Sequence, residues 1–246
     1  MRKIDKKCSL SIRYKKWEEG LEAKNKKHPK IDTSTKRYAD VVMQLFHCQD
    51  GLCAYTERRL CDSIHYEATK WKEGKYASSR PKRGIEGDLE HFDEKLKAKK
   101  KDKEGIKDWL WDNLFVVHPH INQNVKGSKS IDKILKPDRE DYDPFELLDY
   151  DEEEHVYRPK KTLSKEDFQR VETMIETLGI NHFYNIRRDY LAEKLDFIQR
   201  GINSWEDFLI DRFPTAFEMC KQNILRASKT KEPDIDLDDF LKQNKL

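Results

Sequence analysis

The chain has 246 residues, of which 36% are hydrophobic and 39% are charged, so its core must be modest in size and surrounded by charged side chains. Lysine and arginine (49) nearly balance aspartate and glutamate (47), and the resulting net charge of +2 does not indicate any class of partner. No stretch approaches the roughly 20 apolar residues of a membrane span, and the N-terminus lacks the apolar segment of a secretory signal; we therefore expect a soluble, cytoplasmic protein.

The first 50 residues form a predicted N-terminal helical segment. Its clearest helix covers residues 35–47, follows Thr33 and Ser34 as possible caps, and ends before Gly51. The helical spacing is carried by Tyr38, Val42, Leu45 and Phe46. Residues 51–160 differ, because short apolar stretches there alternate with Gly and Pro, a pattern typical of short strands and long loops around one small helix. We expect the functional site in this middle region.

Residues 161–228 are predicted to be helical again. Ser164 and Asp167 form a capping pair for a first helix that stops at Gly179. A second helix is predicted over residues 181–200, a third begins after Asn203 or Ser204, and Pro214 separates the third from a fourth. The remaining residues, 229–246, are acidic with few apolar side chains, which predicts a mobile tail.

Residues 88–126 contain the side-chain types that phosphodiester hydrolysis requires: a base, ligands for a cation, and groups that hold both in place. The sequence DLEHF places a carboxylate beside His91. About twenty residues later, WDNLFVVHPHINQNVKG supplies Asn113, His118, His120, Asn122, Asn124 and Lys126. Carboxylate and amide oxygens suit Mg²⁺ or Mn²⁺. An acid and a histidine on an extended segment, then an asparagine, then a polar residue nine positions later in a short helix, is the order of a ββα-metal (HNH) site.

Six blocks occur in an order that resembles one protein family: MRKIDK, GLCAYTERRL, LEHFDEK, WDNLFVV, ILKPDREDYDP and LGINHFYNIRRDYL. Together they resemble the HNH nuclease subunits of Septu and related retron antiphage systems, the PtuB-like proteins. The resemblance covers most of the chain. It implies a mostly helical α+β fold in which a small ββα-metal (HNH) core, within residues 51–160, is flanked by N- and C-terminal helices.

The resemblance also implies roles for individual residues. His91 takes the position of the general base, Glu90 that of a metal ligand, and Asn113 that of the residue that orients the catalytic loop. Counting nine residues from Asn113 reaches Asn122 as the second metal ligand, with Asn124, His118 and His120 as alternatives. Asp88 competes with Glu90, because a shift of one residue in a strand exchanges its two faces. Expected contacts to nucleic acid phosphate are Lys95, Lys126 and Lys129.

The sequence departs from the family at two places. Where the family has two CxxC pairs that bind a structural zinc ion, this chain retains only Cys53 and His118, which are too few for a closed tetrahedral site. We therefore expect no structural zinc, and apolar packing of Tyr55 and Ile121 in its place. The family's Arg-Pro after the histidine is replaced by Asp93-Glu94, which adds negative charge near the phosphate path.

The partners implied by the resemblance are nucleic acid, DNA above all, and an ABC-type ATPase similar to PtuA; no membrane contact is expected. The lysine-rich stretch 95–107 either forms a solvated loop or follows phosphates, and the acidic tail either stays disordered or docks on the ATPase. Arg187 and Arg188 could reach DNA, but we expect them to form salt bridges to the acidic stretch that precedes the C-terminal helices. The alternative function is a degenerate HNH scaffold that binds nucleic acid or the ATPase without cutting.

Overall fold

The computed structural model describes residues 1–7, 11–23, 36–77, 84–93, 110–129, 131–208 and 211–230. The α-helices in these ranges are α1 (Ile12–Ala23), α2 (Lys36–Cys48), α3 (Pro144–Leu147), α4 (Lys165–Thr177), α5 (Tyr184–Gln199) and α6 (Pro214–Thr230). The strands are β1 (Trp71–Lys72), β2 (Lys75–Tyr76), β3 (Asp88–His91), β4 (Leu114–Val117), β5 (Leu148–Asp151) and β6 (Val156–Pro159). A π-helical segment covers Ile121–Lys126. Short 3₁₀ turns cover Ser63–His65, Ala68–Lys70, Trp111–Asn113, Lys133–Leu135 and Glu206–Phe208.

The strands form three two-stranded antiparallel sheets, which pair β1 with β2, β3 with β4 and β5 with β6 in the described part of the chain. With helices before and after them, this is the mixed helical and antiparallel arrangement of an α+β protein, as the sequence predicts. Among the helices that the structure describes, none is long and apolar enough to cross a membrane.

Helix α2 agrees with the predicted helix over 35–47 and supplies one wall of the core. Val41, Val42, Leu45 and Phe46 are all fully buried on it, and α2 packs against β4. Helix α1 is not predicted from sequence, because its charged residues leave too weak an apolar periodicity to detect.

The β3–β4 pair lies at the centre of this core. Every residue of β4 is buried, and Gly87 immediately before β3 lets the backbone approach closely. A Cβ at Gly87 would lie 2.6 Å from Val116 Cγ1 and 2.9 Å from Phe46 Cζ, so a larger residue would force the strand away from α2. The register pairs Glu90 with Phe115 and His91 with Leu114.

The C-terminal helices follow most of the predicted boundaries. The Ser164 hydroxyl oxygen accepts the Asp167 backbone N–H at 3.1 Å, which confirms the predicted cap of α4. Gly179 ends that helix at φ +62°, and a Cβ there would lie 2.8 Å from Val125 Cγ1. Where a third helix is predicted, the described residues form only a 3₁₀ turn that ends at Phe208. Helix α6 extends to Thr230, past residue 229, where the tail is predicted to start. Residues 231–246 lie outside the described ranges.

Arg187 on α5 is fully buried and joins α5 to the β5–β6 turn. Its guanidinium donates to the His155 carbonyl from Nε (3.2 Å) and Nη2 (2.7 Å), and to the Ile180 carbonyl from Nη1 (3.2 Å). The guanidinium carbon lies 4.8 Å from the centre of the Tyr157 ring. The expected salt bridges to the acidic stretch are not the contacts that these arginines make: Arg187 is buried and donates to the carbonyls of His155 and Ile180, while Arg188 pairs with its neighbour Asp189.

Substituting Arg187 with lysine is expected to lower the free energy of unfolding by about 2–4 kcal/mol. A single ammonium cannot reproduce the planar fork that reaches both carbonyls, and buried carbonyls left without a donor are costly. Arg188→Lys is the matched control on the same helix, and its effect should stay within about 0.5 kcal/mol because the side chain is exposed. Urea denaturation followed by circular dichroism measures both. Equal losses in the two variants would contradict the structural role of Arg187.

Candidate functional site

Glu90 and His91 lie at the end of β3, in the centre of the molecule. The side chains are on opposite faces of the strand because successive residues alternate. Glu90 is 1% exposed and His91 is 8% exposed, and the His91 Nε2 atom is buried. The adjacent placement predicted from DLEHF is therefore present, but within the protein and not on an open surface.

Asn113 fixes the backbone that follows His91. Its side-chain Oδ1 accepts the Asp93 N–H at 2.8 Å, and its Nδ2 donates to the Asp93 carbonyl at 3.2 Å. Its own carbonyl accepts the Phe92 N–H at 2.8 Å. With 4% exposure, Asn113 forms these bonds away from competing water. Three hydrogen bonds therefore connect the start of β4 to the two residues immediately after the histidine.

A π-helical segment follows β4 and carries the remaining predicted residues. The Gly127 N–H donates to the Asn122 carbonyl five residues earlier, at 3.1 Å. Such turns are rare and occur frequently at functional sites. Within the segment, Lys126 is buried and Asn122 is partly buried, whereas Asn124 is exposed. Lys126 is therefore the buried polar side chain of the segment, and Asn122 is partly covered.

Lys126 forms a buried ion pair with Glu90. Its Nζ atom lies 2.5 Å from Glu90 Oε1 and donates to the His91 carbonyl at 3.1 Å. The two side chains are 0% and 1% exposed. The structure thus brings together Glu90, His91 and Lys126, and gives the Lys126 ammonium no surface on which to meet a phosphate.

The other predicted residues have different surroundings. Lys129 is exposed just beyond the π-helical segment. Lys95 lies outside the described residues, as do the rest of the lysine-rich stretch and Glu94. The alternatives weighed from sequence are engaged elsewhere: Asp88 Oδ2 accepts the Gln123 Nε2–H at 2.7 Å, and Asn124 Nδ2 lies 3.1 Å from His120 Nδ1. The Asp88 bond ties the start of β3 to the π-helical segment.

The arrangement does not fit a divalent ion at Glu90. In the part of the chain that the structure describes, no three His, Cys, Asp or Glu side chains are grouped so as to hold a metal. A second cation on Glu90 would share a buried space with the Lys126 ammonium, where like charges repel strongly. Mg²⁺ or Mn²⁺ at Glu90 and Asn122 therefore requires Lys126 to move.

The PtuB-like nucleases that the sequence resembles have a zinc knuckle, and the corresponding region of this chain contains a different set of contacts. Cys53 Sγ accepts the His118 N–H at 3.4 Å, and both Tyr55 and Ile121 are fully buried in the core. Cys53 is a free thiol, as are the described cysteines at positions 48, 61 and 220. The absence of structural zinc remains a prediction, which elemental analysis can check.

Three histidines, His118, His120 and His182, lie close together beside the π-helical segment. His118 and His120 are candidate site residues from the sequence, whereas His182 is not. His118 Nε2 lies 3.1 Å from Arg58 Nη1 and 3.7 Å from Glu86 Oε2, and the rings of His120 and His182 are 4.6 Å apart. Burial, reinforced by Arg58, lowers the pKa of His118. Burial, reinforced by His120, also lowers the pKa of His182. The INHF sequence gave no local signal that His182 reaches this group.

Acid is expected to destabilise the fold through His118 and His182. Their pKa values are lowered on folding, so above about pH 6.5, where the unfolded chain is also neutral at histidine, they contribute nothing to the pH dependence. Below that pH the unfolded chain binds protons that the folded chain does not, and stability falls. A double His118→Gln and His182→Gln variant should lose less stability than wild type between pH 7.5 and pH 5.5 in urea denaturation. His65→Gln is the control, and an unchanged slope in the double variant would contradict the prediction.

Sequence reasoning also missed a second buried ion pair beneath the strand pair. Lys6 Nζ lies 2.9 Å from Asp138 Oδ2 and 3.5 Å from the centre of the Phe115 ring. Burial lowers the pKa of Lys6 to about 8, against the attraction of Asp138. Lys6 and Trp111 exchange hydrogen bonds, each at 3.1 Å, between side chain and carbonyl. The MRKIDK and KPD blocks therefore meet on the core that carries Glu90 and His91.

No protein-family model matches the chain, and no curated protein matches it either. The resemblance to the PtuB-like nucleases therefore depends on the six short sequence blocks.

Proposed function

We propose that the chain is an HNH-type endonuclease subunit that hydrolyses phosphodiester bonds in DNA. The main support is that Glu90 and His91 end β3, while Asn113, immediately before the paired strand β4, bonds the backbone that follows His91; β4 in turn leads into a π-helical segment. A nuclease of this type needs a base, a residue that fixes the loop behind it, and a charged group close to both. His91 would be the base, Asn113 the residue that fixes the loop, and Glu90 the charged group.

His91 is the proposed general base, taking a proton from the water that attacks phosphorus. Asn113 is a positioning residue, because its hydrogen bonds to Phe92 and Asp93 fix the backbone directly after His91. The resemblance implies Mg²⁺ or Mn²⁺ at Glu90 and Asn122, which would offset charge on the departing oxygen. Since Lys126 engages Glu90, no step is assigned to a metal ion.

The biological setting is proposed from the resemblance alone. It implies an effector of a bacterial antiphage defence complex, acting in the cytoplasm with an ABC-type ATPase that regulates cutting. Lys129, exposed after the π-helical segment, and Lys95 are the proposed phosphate contacts; such contacts bind DNA without reading its sequence.

A second function, a degenerate HNH scaffold that does not cut, is favoured by two observations. The Glu90 carboxylate is engaged by a buried ammonium, and His91 Nε2 is buried away from any substrate. A scaffold would bind nucleic acid or the ATPase through other surfaces and keep these residues for stability.

Nicking of supercoiled plasmid distinguishes the two functions. The full chain is assayed with Mg²⁺, with Mn²⁺ and with EDTA, each with and without an ABC-type ATPase partner of the PtuA kind. Wild-type cutting that His91→Ala removes and His65→Ala retains would support the endonuclease. Plasmid binding without cutting under every condition would support the scaffold instead.

A further inference from the structure

The oxygen atoms around the Lys126 ammonium are of the kind that also bind hard divalent cations. They include Glu90 Oε1 at 2.5 Å and the His91 carbonyl oxygen at 3.1 Å. A carboxylate and a backbone carbonyl are ordinary ligands of Mg²⁺ and related ions. The lysine side chain therefore supplies a positive charge where the strand end presents oxygen ligands.

The backbone around Lys126 keeps its side chain in this place. Gly179 allows α4 to end against the π-helical segment, where a Cβ would lie 2.8 Å from Val125 Cγ1 and 3.0 Å from Ile121 Cδ1. The bond between Gln123 and Asp88 connects the same segment to β3 at 2.7 Å. One contact holds the segment to β3 and the other packs it against the end of α4, so Lys126 is placed by packing as well as by its charge.

Electrostatics then make the ammonium and a divalent ion compete for Glu90. Like charges a few ångströms apart repel strongly at the effective dielectric constant of a protein, and a divalent ion carries twice the charge of a second ammonium. The pair is nearly inaccessible to water, so solvent screens this repulsion poorly. The ion can bind Glu90 well only after the ammonium has left.

We propose that Lys126 is an internal cation that closes Glu90 to divalent metal ions, and that the site accepts such an ion only when Lys126 leaves Glu90. This inference rests on the proposed function in one respect, the assignment of Glu90 as a metal ligand. It goes further in naming the residue that controls access to that ligand.

Mn²⁺ binding to the full chain tests this, followed by the electron paramagnetic resonance signal of free Mn²⁺. Lys126→Met should bind Mn²⁺ at least roughly tenfold more tightly than wild type, because the repelling charge is gone. Lys133→Met removes an exposed lysine and should match wild type. The double variant Glu90→Gln with Lys126→Met should lose the gained binding. No gain in Lys126→Met would overturn the proposal.

Wild-type protein gives a second test that does not depend on the folding of any Lys126 variant. Its melting temperature should be the same with Mn²⁺ as with EDTA. A rise with Mn²⁺ that is absent in Glu90→Gln would show that Glu90 already binds the ion, and would overturn the proposal. Neither measurement uses DNA, so the result for Lys126 does not depend on whether the protein cuts plasmid.

Discussion

Replacing Lys126 with methionine is expected to lower the free energy of unfolding by about 3–5 kcal/mol, because it leaves the Glu90 carboxylate buried without its cation. Methionine retains most of the length of the lysine side chain, so the loss reports charge and hydrogen bonding more than volume. The ammonium also donates to the His91 carbonyl, and that bond is lost as well. Urea denaturation in EDTA, with tryptophan fluorescence as the signal, measures the change.

The double variant Glu90→Gln with Lys126→Met separates the ion pair from simple packing. Both charges are then absent, and replacing a whole buried pair by neutral groups of similar volume is often close to neutral. We expect the double variant to recover most of the loss, and Lys133→Met to stay within about 0.5 kcal/mol of wild type. If the single and double variants lose the same amount, the stabilising role belongs to side-chain packing and not to the charge pair.

The features predicted correctly from sequence are those encoded by neighbouring residues. The cap of α4 needs only Ser164 and the backbone three residues later, and the buried face of α2 follows from spacing over 13 residues. The middle region also contains short strands such as β3 and β4, which the Gly and Pro punctuation of residues 51–160 predicts.

The features that sequence could not give depend on residues far apart in the chain. Lys126 and Lys129 look alike in sequence, yet one is fully buried and the other exposed. The difference comes from Glu90, 36 positions away from Lys126, and from the packing at Gly179. Arg187 likewise depends on a carbonyl 32 positions away. Such contacts are made by tertiary packing, which neither charge pattern nor periodicity records.

The same limit explains why candidate site residues can be proposed from sequence more readily than the surroundings of their side chains can be predicted. DLEHF and Asn113 were found because acid, histidine and asparagine have recognisable chemistry in sequence. Whether Glu90 faces a metal ion or an ammonium depends on the geometry of the π-helical segment. The residues of that segment carry no sequence signal that distinguishes a π-helix from an ordinary helical turn. The ion pair with Lys126 therefore changes the expected site from an open metal centre to a closed one.

His91→Ala is expected to reduce plasmid nicking by about a hundred- to ten-thousand-fold, which is the usual contribution of a general base. The loss should fall on the rate of cutting and not on the binding of DNA, because a general base acts on the attacking water, whereas the proposed phosphate contacts are Lys95 and Lys129. Initial rates of supercoiled plasmid loss give the first quantity, and a filter-binding titration gives the second.

Two comparisons make this result specific to the base. His65→Ala, outside the strand pair, should cut at the wild-type rate, and Asn113→Ala should cut slowly because the backbone behind His91 loses its bonds to Asp93. Urea denaturation of each variant shows whether a lost rate reflects unfolding. If His91→Ala is folded and nicks plasmid as fast as wild type, the general base is another residue. His91 then has only a structural role at the end of β3.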